Sequence, residues 1–265
     1  LSKSSIFELY GSSLFRWKYY PRNYKPSASM NWGSLVDCLL TSPADFESEF
    51  VVSPYDNFRT KEAREWKAKQ EENKVTVVDE STIAEAQKAI EMLTQKHKKA
   101  AALIEKSRKQ VVLLNKTTHT AYDREFIYLK GLVDLAPEGE PFLADLKTCA
   151  DFSAAGFAKA QARFNYAAQA GHYLRMWNKL HPHDQRDRFQ IVWQESSYPY
   201  EVAITEIPKQ DLEDGVRMFD HLLGRIVDAS FRSYFPMRYE DPVMLGRAAF
   251  AAITDEEELE GLEKI

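Results

Sequence analysis

Residues 131–149 are GLVDLAPEGEPFLADLKTC, and this stretch carries the main signal for the fold. Two apolar runs flank the turn-favouring sequence PEG, so the stretch predicts two strands joined by a short loop. Side chains alternate between the two faces of a strand, so Asp145 and Lys147 project from the same side of the second strand. If the two strands pair, Asp134 on the first strand and Asp145 can reach a common point.

An acidic residue two positions before a lysine is a common pattern, so the triplet alone is weak evidence. Composition predicts about three such triplets by chance, and three that we single out are Glu65–Lys67, Glu72–Lys74 and Asp145–Lys147. The first two lie in the charged stretch TKEAREWKAKQEENK, which predicts a solvated helix. Only the third ends an apolar strand, so only the third indicates a site.

The composition favours a globular protein of the reducing cytoplasm. The chain has 265 residues, of which 44% are hydrophobic and 12% aromatic. Its two cysteines, Cys38 and Cys149, lack the number and spacing of a disulfide framework or a metal finger. No apolar run approaches about 18 residues, and the sequence LSKSSIFELYG lacks the apolar core of a signal peptide. We therefore expect a cytoplasmic protein with no membrane association.

The net charge of −5 does not indicate a simple basic nucleic-acid binder. An enzyme that acts on DNA can nevertheless combine an acidic metal site with a local basic channel. Charge therefore leaves a function on DNA open.

Apolar periodicity predicts the order of helices and strands. SASMNWGSLVDCLLTSP predicts a buried helix, and residues 59–109 are charged and helical with a break at VTVVDEST. We predict strands at 110–115, 124–136, 141–147, 188–196 and 200–207, and long helices at 152–180 and after Pro208. This order predicts one α/β domain, 1–265, with a central mixed sheet flanked by helices. Its parts are a mostly helical region, 1–109, a core that contains the sheet, 110–235, and a C-terminal extension, 236–265.

The predicted pairing of Asp134 with Asp145 favours metal-dependent phosphodiester chemistry. Carboxylate oxygens suit Mg²⁺, which takes only one or two protein carboxylates and keeps water and phosphate as its other ligands. Mn²⁺ is the alternative ion. Lys147 would orient or deprotonate the attacking water, or offset charge on a phosphate oxygen. One metal ion, or two held about 4 Å apart, would suit hydrolysis of a phosphodiester.

The helix predicted after the second strand carries polar residues at every fourth position, namely Gln161, Asn165, Gln169 and Tyr173. This spacing predicts one hydrogen-bonding stripe along the helix. Such a stripe is also typical of the solvated face of an amphipathic helix. Its place directly after the Asp-x-Lys strand favours a role in the site.

The motifs GLVD, LADLKT and Gln169-x-x-x-Tyr173 together resemble the Asp, Asp-x-Lys, Gln-x-x-x-Tyr series of PD-(D/E)XK nucleases. The closer resemblance is to the nuclease domain of RecE, or exonuclease VIII, of phage and prophage recombination systems. It extends through WGSLVDCLLTSP, FRTKEAREWKAKQEENKVTVVDE and SYPYEVAITEI, and covers about residues 20–230. Several motifs in order are far more specific than any one of them.

The resemblance implies a restriction-endonuclease-like core and a Mg²⁺-dependent exonuclease that degrades one strand of double-stranded DNA from 5′ to 3′. It implies double-stranded DNA ends as substrate, a ring-shaped homotetramer and a single-strand annealing protein as a partner.

The resemblance also implies residue roles. Asp134 and Asp145 would be metal ligands together with the backbone carbonyl of Leu146, and Lys147 would be the catalytic lysine. Gln169 and Tyr173 would support the site and the DNA end, and Thr148 would hold the strand end in shape.

Two positions depart from the family pattern. Asp37 stands where the front helix of the family carries a metal-binding histidine, and Gln110 stands where a glutamate would open the first strand. Aspartate is still a suitable Mg²⁺ ligand, but it adds negative charge to the site. These changes leave a second hypothesis open, a catalytically weakened nuclease fold that binds DNA ends or a protein partner. A single-strand nuclease with an iron–sulfur centre is disfavoured because the two cysteines are far apart in sequence.

Two other features of the sequence bear on the site. LFRWKYYPRNYK interleaves aromatic residues with Arg16, Lys18, Arg22 and Lys25, which predicts either a surface that binds a DNA strand or a short helical pair packed on the core. His172, His181 and His183 do not share a helical face with the acid pair, and we do not expect a metal site there.

Overall fold

The computed structural model describes residues 1–20, 26–119 and 122–238. Arg22 and Lys25 of the aromatic and basic stretch lie outside the described residues. So does the predicted C-terminal extension from residue 239 onward.

The N-terminal part of the described residues is mostly helical, and the five strands of the central sheet follow it. The α-helices are α1 (Lys3–Phe7), α2 (Leu14–Tyr19), α3 (Ala28–Thr41), α4 (Phe46–Glu49), α5 (Lys61–Glu72), α6 (Glu80–Glu91), α7 (Lys98–Lys106), α8 (Ala154–Phe164), α9 (Tyr166–Leu180) and α10 (Lys209–Arg232). The strands are β1 (Phe50–Val52), β2 (Thr76–Val78), β3 (Ser107–His119), β4 (Tyr122–Pro137), β5 (Phe142–Cys149), β6 (Arg188–Glu195) and β7 (Val202–Glu206).

The central sheet has five strands in the order β3-β4-β5-β6-β7. β5 pairs parallel with β6, and the other neighbouring strands pair antiparallel. The sheet is therefore mixed, and the predicted α/β fold with a central mixed sheet flanked by helices is confirmed. The two antiparallel partners β4 and β5 are the strands predicted around the PEG turn.

Helices pack on both faces of the sheet. Apolar side chains of α1, α2, α9 and α10 form one core against β3, β4 and β6. α3, α6 and α7 form a second core with β5 and β6 on the other face. β5 is buried on both faces: Leu143 lies in the first core, whereas Ala144 and Leu146 lie in the second. This burial explains why the apolar run around Asp145 is nearly continuous.

One part of the helix prediction is wrong. The helix predicted over 152–180 is two helices, because Asn165 has φ +51° and ends α8 in the left-handed conformation that asparagine tolerates. The break predicted at VTVVDEST within 59–109 is confirmed, and it contains β2, a strand that the sequence did not indicate and that pairs in parallel with β1. Each of these strands has only three residues, too few to show an alternating pattern.

None of the described helices combines the length and the apolar character that a membrane-spanning helix needs.

Candidate active site

The two acidic residues predicted to meet are opposite each other in the sheet. β4 and β5 pair antiparallel with Leu135 opposite Ala144, so Asp134 and Asp145 occupy the next position of the ladder. The backbone N–H of Leu146 donates a hydrogen bond to Oδ2 of Asp134 at 3.0 Å. The hairpin thus holds both carboxylates at one point, although their roles as metal ligands stay predictions.

Asp145 is held by two side chains that the sequence singled out. The Lys147 ammonium forms an ion pair with Oδ2 of Asp145. Nε2 of Gln169, in the first turn of α9, donates to Oδ1 of the same carboxylate at 2.8 Å. Both carboxylate oxygens therefore have a partner, and Asp145 has one defined orientation in the middle of β5.

Lys147 is a cation in this environment. Burial lowers the pKa of the ammonium, but Asp145 and Asp134 together raise it by more, so the net shift is upward. The ammonium also lies 5.3 Å from the ring centroid of Tyr166, a favourable cation–π distance. Lys147 is therefore arranged to stabilise negative charge rather than to accept a proton.

Asp134 and Asp37 both experience excess negative charge. Burial, followed by the charge of Asp145, raises the pKa of Asp134 well above its usual range, and Lys147 offsets only part of this. Burial also raises the pKa of Asp37, and Asp145 adds to the effect. A cation bound among these carboxylates would relieve both penalties. This excess of negative charge is the observation that fits a bound metal ion.

Asp37 and Gln110, the two departures from the family pattern, are in direct contact. Nε2 of Gln110 lies 3.2 and 3.1 Å from the two carboxylate oxygens of Asp37, and 2.9 Å from Oγ1 of Thr41. The Thr41 hydroxyl also donates to Oδ1 of Asp37 at 3.2 Å. Gln110 has φ +51°, an uncommon conformation for a residue with a side chain. The amide of Gln110 thus orients the carboxylate that α3 supplies.

α3 approaches β5 closely one turn before Asp37. A Cβ atom added to Gly33 would lie 2.8 Å from Oγ1 of Thr148. Only glycine permits this approach, which fixes the helix that carries Asp37 against the strand that carries Asp145. Thr148 therefore contributes to the site by packing, in line with its expected structural role.

Tyr173 lies behind the acid pair. A Cβ atom on Gly131 of β4 would lie 2.8 Å from the Tyr173 ring, so the ring packs directly on the strand that carries Asp134. Burial raises the pKa of the Tyr173 hydroxyl, and the charges of Asp145 and Asp134 raise it further, so the phenol is neutral. Tyr173 supports β4, whereas Gln169 contacts Asp145 itself.

The site lies in an open groove with a volume of about 660 Å³. Asp37, Asp134, Leu146, Lys147 and Gln169 line it. Among the described residues there is no preassembled group of three or more His, Cys, Asp or Glu ligands. Mg²⁺ needs only one or two protein carboxylates, so Asp134 and Asp145 with the Leu146 carbonyl are a sufficient donor set.

The remaining members of the predicted polar stripe do not reach the acid pair. Gln161 lies 3.4 Å from Asp211 of α10, and Asn165 forms the junction between α8 and α9. The prediction of one continuous stripe is therefore wrong, because it required a straight helix.

The three histidines lie away from the site. His172 is fully buried and stacks on Phe219 at 4.1 Å between ring centroids. His181 stacks on Trp177 at the end of α9, and His183 follows in the next loop.

The described part of the aromatic and basic stretch packs on the core only in part. Trp17 is half-buried, and its Nε1 donates to the Ser5 carbonyl at 2.7 Å. Tyr19 and Tyr20 are exposed, and the Tyr19 ring meets Phe235 edge-on. Both interpretations of this stretch therefore stay predictions.

Sequence reasoning missed several residues of the groove. Thr41 and Tyr166 contact site residues, and Lys3, Lys159 and Arg163 line the groove wall. Thr41 follows Asp37 by one helical turn, a spacing that would have identified it. Lys3 lies far from the site in sequence and carried no such signal.

Comparison with solved structures shows a known protein that shares this fold. An exonuclease of provisional assignment from Eubacterium rectale shares 15% identity and a TM-score of 0.60, with 96% of this chain and 92% of that chain covered. A phage-related exonuclease from Haemophilus somnus shares 14% identity over 76% of this chain and 94% of that chain, with a TM-score of 0.36. The first score shows a shared fold, and the second is too low to establish one.

No curated protein matches the sequence. A family model described as a PDDEXK-like domain of unknown function (DUF3799) matches residues 15–242, so the chain belongs to this family, and the predicted PD-(D/E)XK core is confirmed.

Proposed function

We propose that this protein is a Mg²⁺-dependent exodeoxyribonuclease that hydrolyses one strand of double-stranded DNA from its ends, from 5′ to 3′, in phage-type recombination. One observation carries the proposal: Asp134, Asp145 and Lys147 converge where β4 pairs with β5, and Asp134 and Lys147 line an open groove. The direction and the recombination role rest on the resemblance to RecE.

Each site residue has a separate task in this proposal. Asp134, Asp145 and the Leu146 carbonyl would hold Mg²⁺, or Mn²⁺, and Asp37 would add a carboxylate from α3. The ion would polarise the phosphate and lower the pKa of a bound water. Lys147 stabilises the charge that develops on the phosphate oxygens. Gln169 keeps Asp145 in its orientation by the 2.8 Å hydrogen bond.

A homotetramer, as the resemblance implies, is part of the proposal. β3 is at the edge of the sheet, and the β3–β4 face exposes a row of apolar side chains that includes Val112, Leu114 and Leu132, with 72, 60 and 43% of their surface accessible. A contiguous apolar surface of this kind favours association with a second copy. Sedimentation velocity would give the mass of a tetramer in solution, and a Leu114→Glu variant would sediment as a smaller species.

The test is hydrolysis of linear duplex DNA by the purified protein in Mg²⁺ or Mn²⁺. Wild type should release acid-soluble nucleotides, and Lys147→Ala should release at least 100-fold less, an estimate from the loss of one transition-state charge contact. The proposal fails if wild type releases no more than Lys147→Ala.

A second candidate is a nuclease fold that binds DNA ends or a protein partner without efficient catalysis. It is favoured by the occupied oxygens of Asp145, which Lys147 and Gln169 already engage. Titration calorimetry with Mg²⁺ separates the two. Heat of binding that disappears in Asp134→Asn and Asp145→Asn would count against the second candidate, whereas wild type without such heat would favour it.

A further inference from the structure

One wall of the groove is formed by helix α8. Gly156, Lys159, Ala160 and Arg163 all line the groove, and their spacing of three and four residues places them on one face of the helix. Gly156 and Ala160 have little or no side chain, and the two cations stand one helical turn apart. A wall of small residues and cations permits close approach of a negatively charged backbone.

The cations of this wall are available to a ligand. Within the described part of the chain, Lys159 makes no ion pair or hydrogen bond, and Arg163 contacts only the Phe164 ring, at 5.3 Å. Lys3 of α1 also lines the groove, with its ammonium bonded to the Phe164 carbonyl, and burial lowers the pKa of this ammonium to about 8. Lys159 and Arg163 are therefore the two cations of the wall that a ligand can reach.

Two stacked aromatic rings connect this wall to Lys147. Phe164 is 48% exposed, and its ring stacks on Tyr166 with centroids 5.6 Å apart and planes at 25°. Tyr166 in turn lies under the Lys147 ammonium. Asn165, in the left-handed conformation, lies between these two aromatic residues in sequence, at the junction of α8 and α9. The exposed ring of Phe164 is thus connected to the Lys147 ammonium through the Tyr166 ring.

We propose that the α8 wall binds an unpaired segment of the DNA strand that is hydrolysed, with phosphates on Lys159 and Arg163 and a base stacked on Phe164. Proteins that bind single strands combine a cationic groove with aromatic rings, because every base has a π face. In an intact duplex the bases are stacked on each other and cannot reach the ring. The inference rests on the proposed function, and it adds that the end of the duplex opens before hydrolysis.

The test is binding of a fluorescein-labelled 12-nucleotide single strand, measured by anisotropy in EDTA between 50 and 200 mM NaCl. The variants are Lys159→Ala/Arg163→Ala, Phe164→Ala and a control, Lys61→Ala/Arg64→Ala. The control removes the same charge from exposed positions of α5, which do not line the groove.

The α8 double variant should bind about tenfold more weakly than the control at 100 mM NaCl, and its salt slope should fall by about 1.4, since each phosphate contact to a single strand contributes about 0.7. Phe164→Ala should lose about 5- to 100-fold in affinity with an unchanged salt slope, because stacking releases no counterions. Phe164→Trp should retain binding.

The inference is overturned if the α8 double variant binds within twofold of the control. Hydrolysis of linear duplex DNA by wild type, measured in parallel, separates the two claims. Hydrolysis together with unaffected binding in the α8 variant refutes the single-strand wall and leaves the nuclease function intact. A wild type that neither binds nor hydrolyses DNA refutes both. Circular dichroism melts identify any variant that does not fold, and Lys159→Gln/Arg163→Gln then replaces it under the same criteria.

Discussion

The contact between Gln110 and Asp37 permits a sharp prediction, because a single substitution converts a hydrogen bond into a repulsion. In Gln110→Glu, a carboxylate replaces the amide that lies 3.1 Å from Oδ2 of Asp37. We expect this variant to be less stable than wild type without divalent metal. We also expect Mg²⁺ to restore more stability to the variant than to wild type.

The magnitude follows from two effects. A hydrogen bond to a charged group contributes about 1.5 to 3 kcal/mol, and this contribution is lost. Coulomb's law with an effective dielectric constant of about 20 gives about 5 kcal/mol between two charges at 3.1 Å. Both side chains are partly exposed, and protonation of one carboxyl group limits the repulsion, so we expect a net loss of about 2 to 4 kcal/mol in the free energy of unfolding at pH 8.

The assay is urea denaturation followed by circular dichroism at pH 8 in EDTA, repeated at pH 5 and in 10 mM Mg²⁺. Gln110→Ala is the matched control, because it removes the hydrogen bonds without adding charge and should lose only their contribution of about 1.5 to 3 kcal/mol. The extra loss in Gln110→Glu should diminish at pH 5, because burial raises the pKa of Asp37 and protonation of a carboxyl group at lower pH removes repulsion. Equal stability of Gln110→Glu and Gln110→Ala in EDTA at pH 8 would refute the reasoning.

Three further predictions follow from the packing and the charges around the site. Burial lowers the pKa of His172 to about 4, so the unfolded chain binds the proton first, and the free energy of unfolding should fall by about 3 kcal/mol as the pH drops from about 6.5 to 4. His172→Phe should remove this pH dependence in denaturant titrations, and an unchanged dependence would contradict it. Gly33→Ala should reduce nuclease activity about tenfold by forcing α3 away from Thr148, an estimate typical of small misplacements, and Thr148→Ala should restore activity in the double variant. Lys147→Met should unfold about 3 kcal/mol more easily than wild type, because it leaves Asp145 buried without its cation, and the added change Asp145→Asn should recover most of that loss in urea titrations.

The parts of the site that could be predicted are local in sequence. Asp134, Asp145 and Lys147 are linked by one hairpin, so alternation along the strands and the PEG turn suffice to bring them together. Gln169 was found because a helix follows directly after β5. Its contact with Asp145, across 24 residues, needs only that the helix folds back on the strand.

The parts that could not be predicted depend on long-range packing. Asp37 and Gln110 are 73 residues apart, and each was noticed only as a departure from a pattern, without any sign that the two touch. The cationic wall combines α8 with Lys3, which is 161 residues from its partner Phe164. Periodicity also continued through Asn165, because a left-handed residue interrupts a helix without changing the spacing of its polar side chains.

The most direct test of the account compares release of label from linear duplex DNA that carries ³²P at its 5′ ends or at its 3′ ends, with a covalently closed circle as the substrate without ends. We predict that wild type in Mg²⁺ releases the 5′ label first and leaves the circle intact, and that Asp134→Asn releases no label. Cleavage of the closed circle at a similar rate, or equal release by Asp134→Asn, would contradict it.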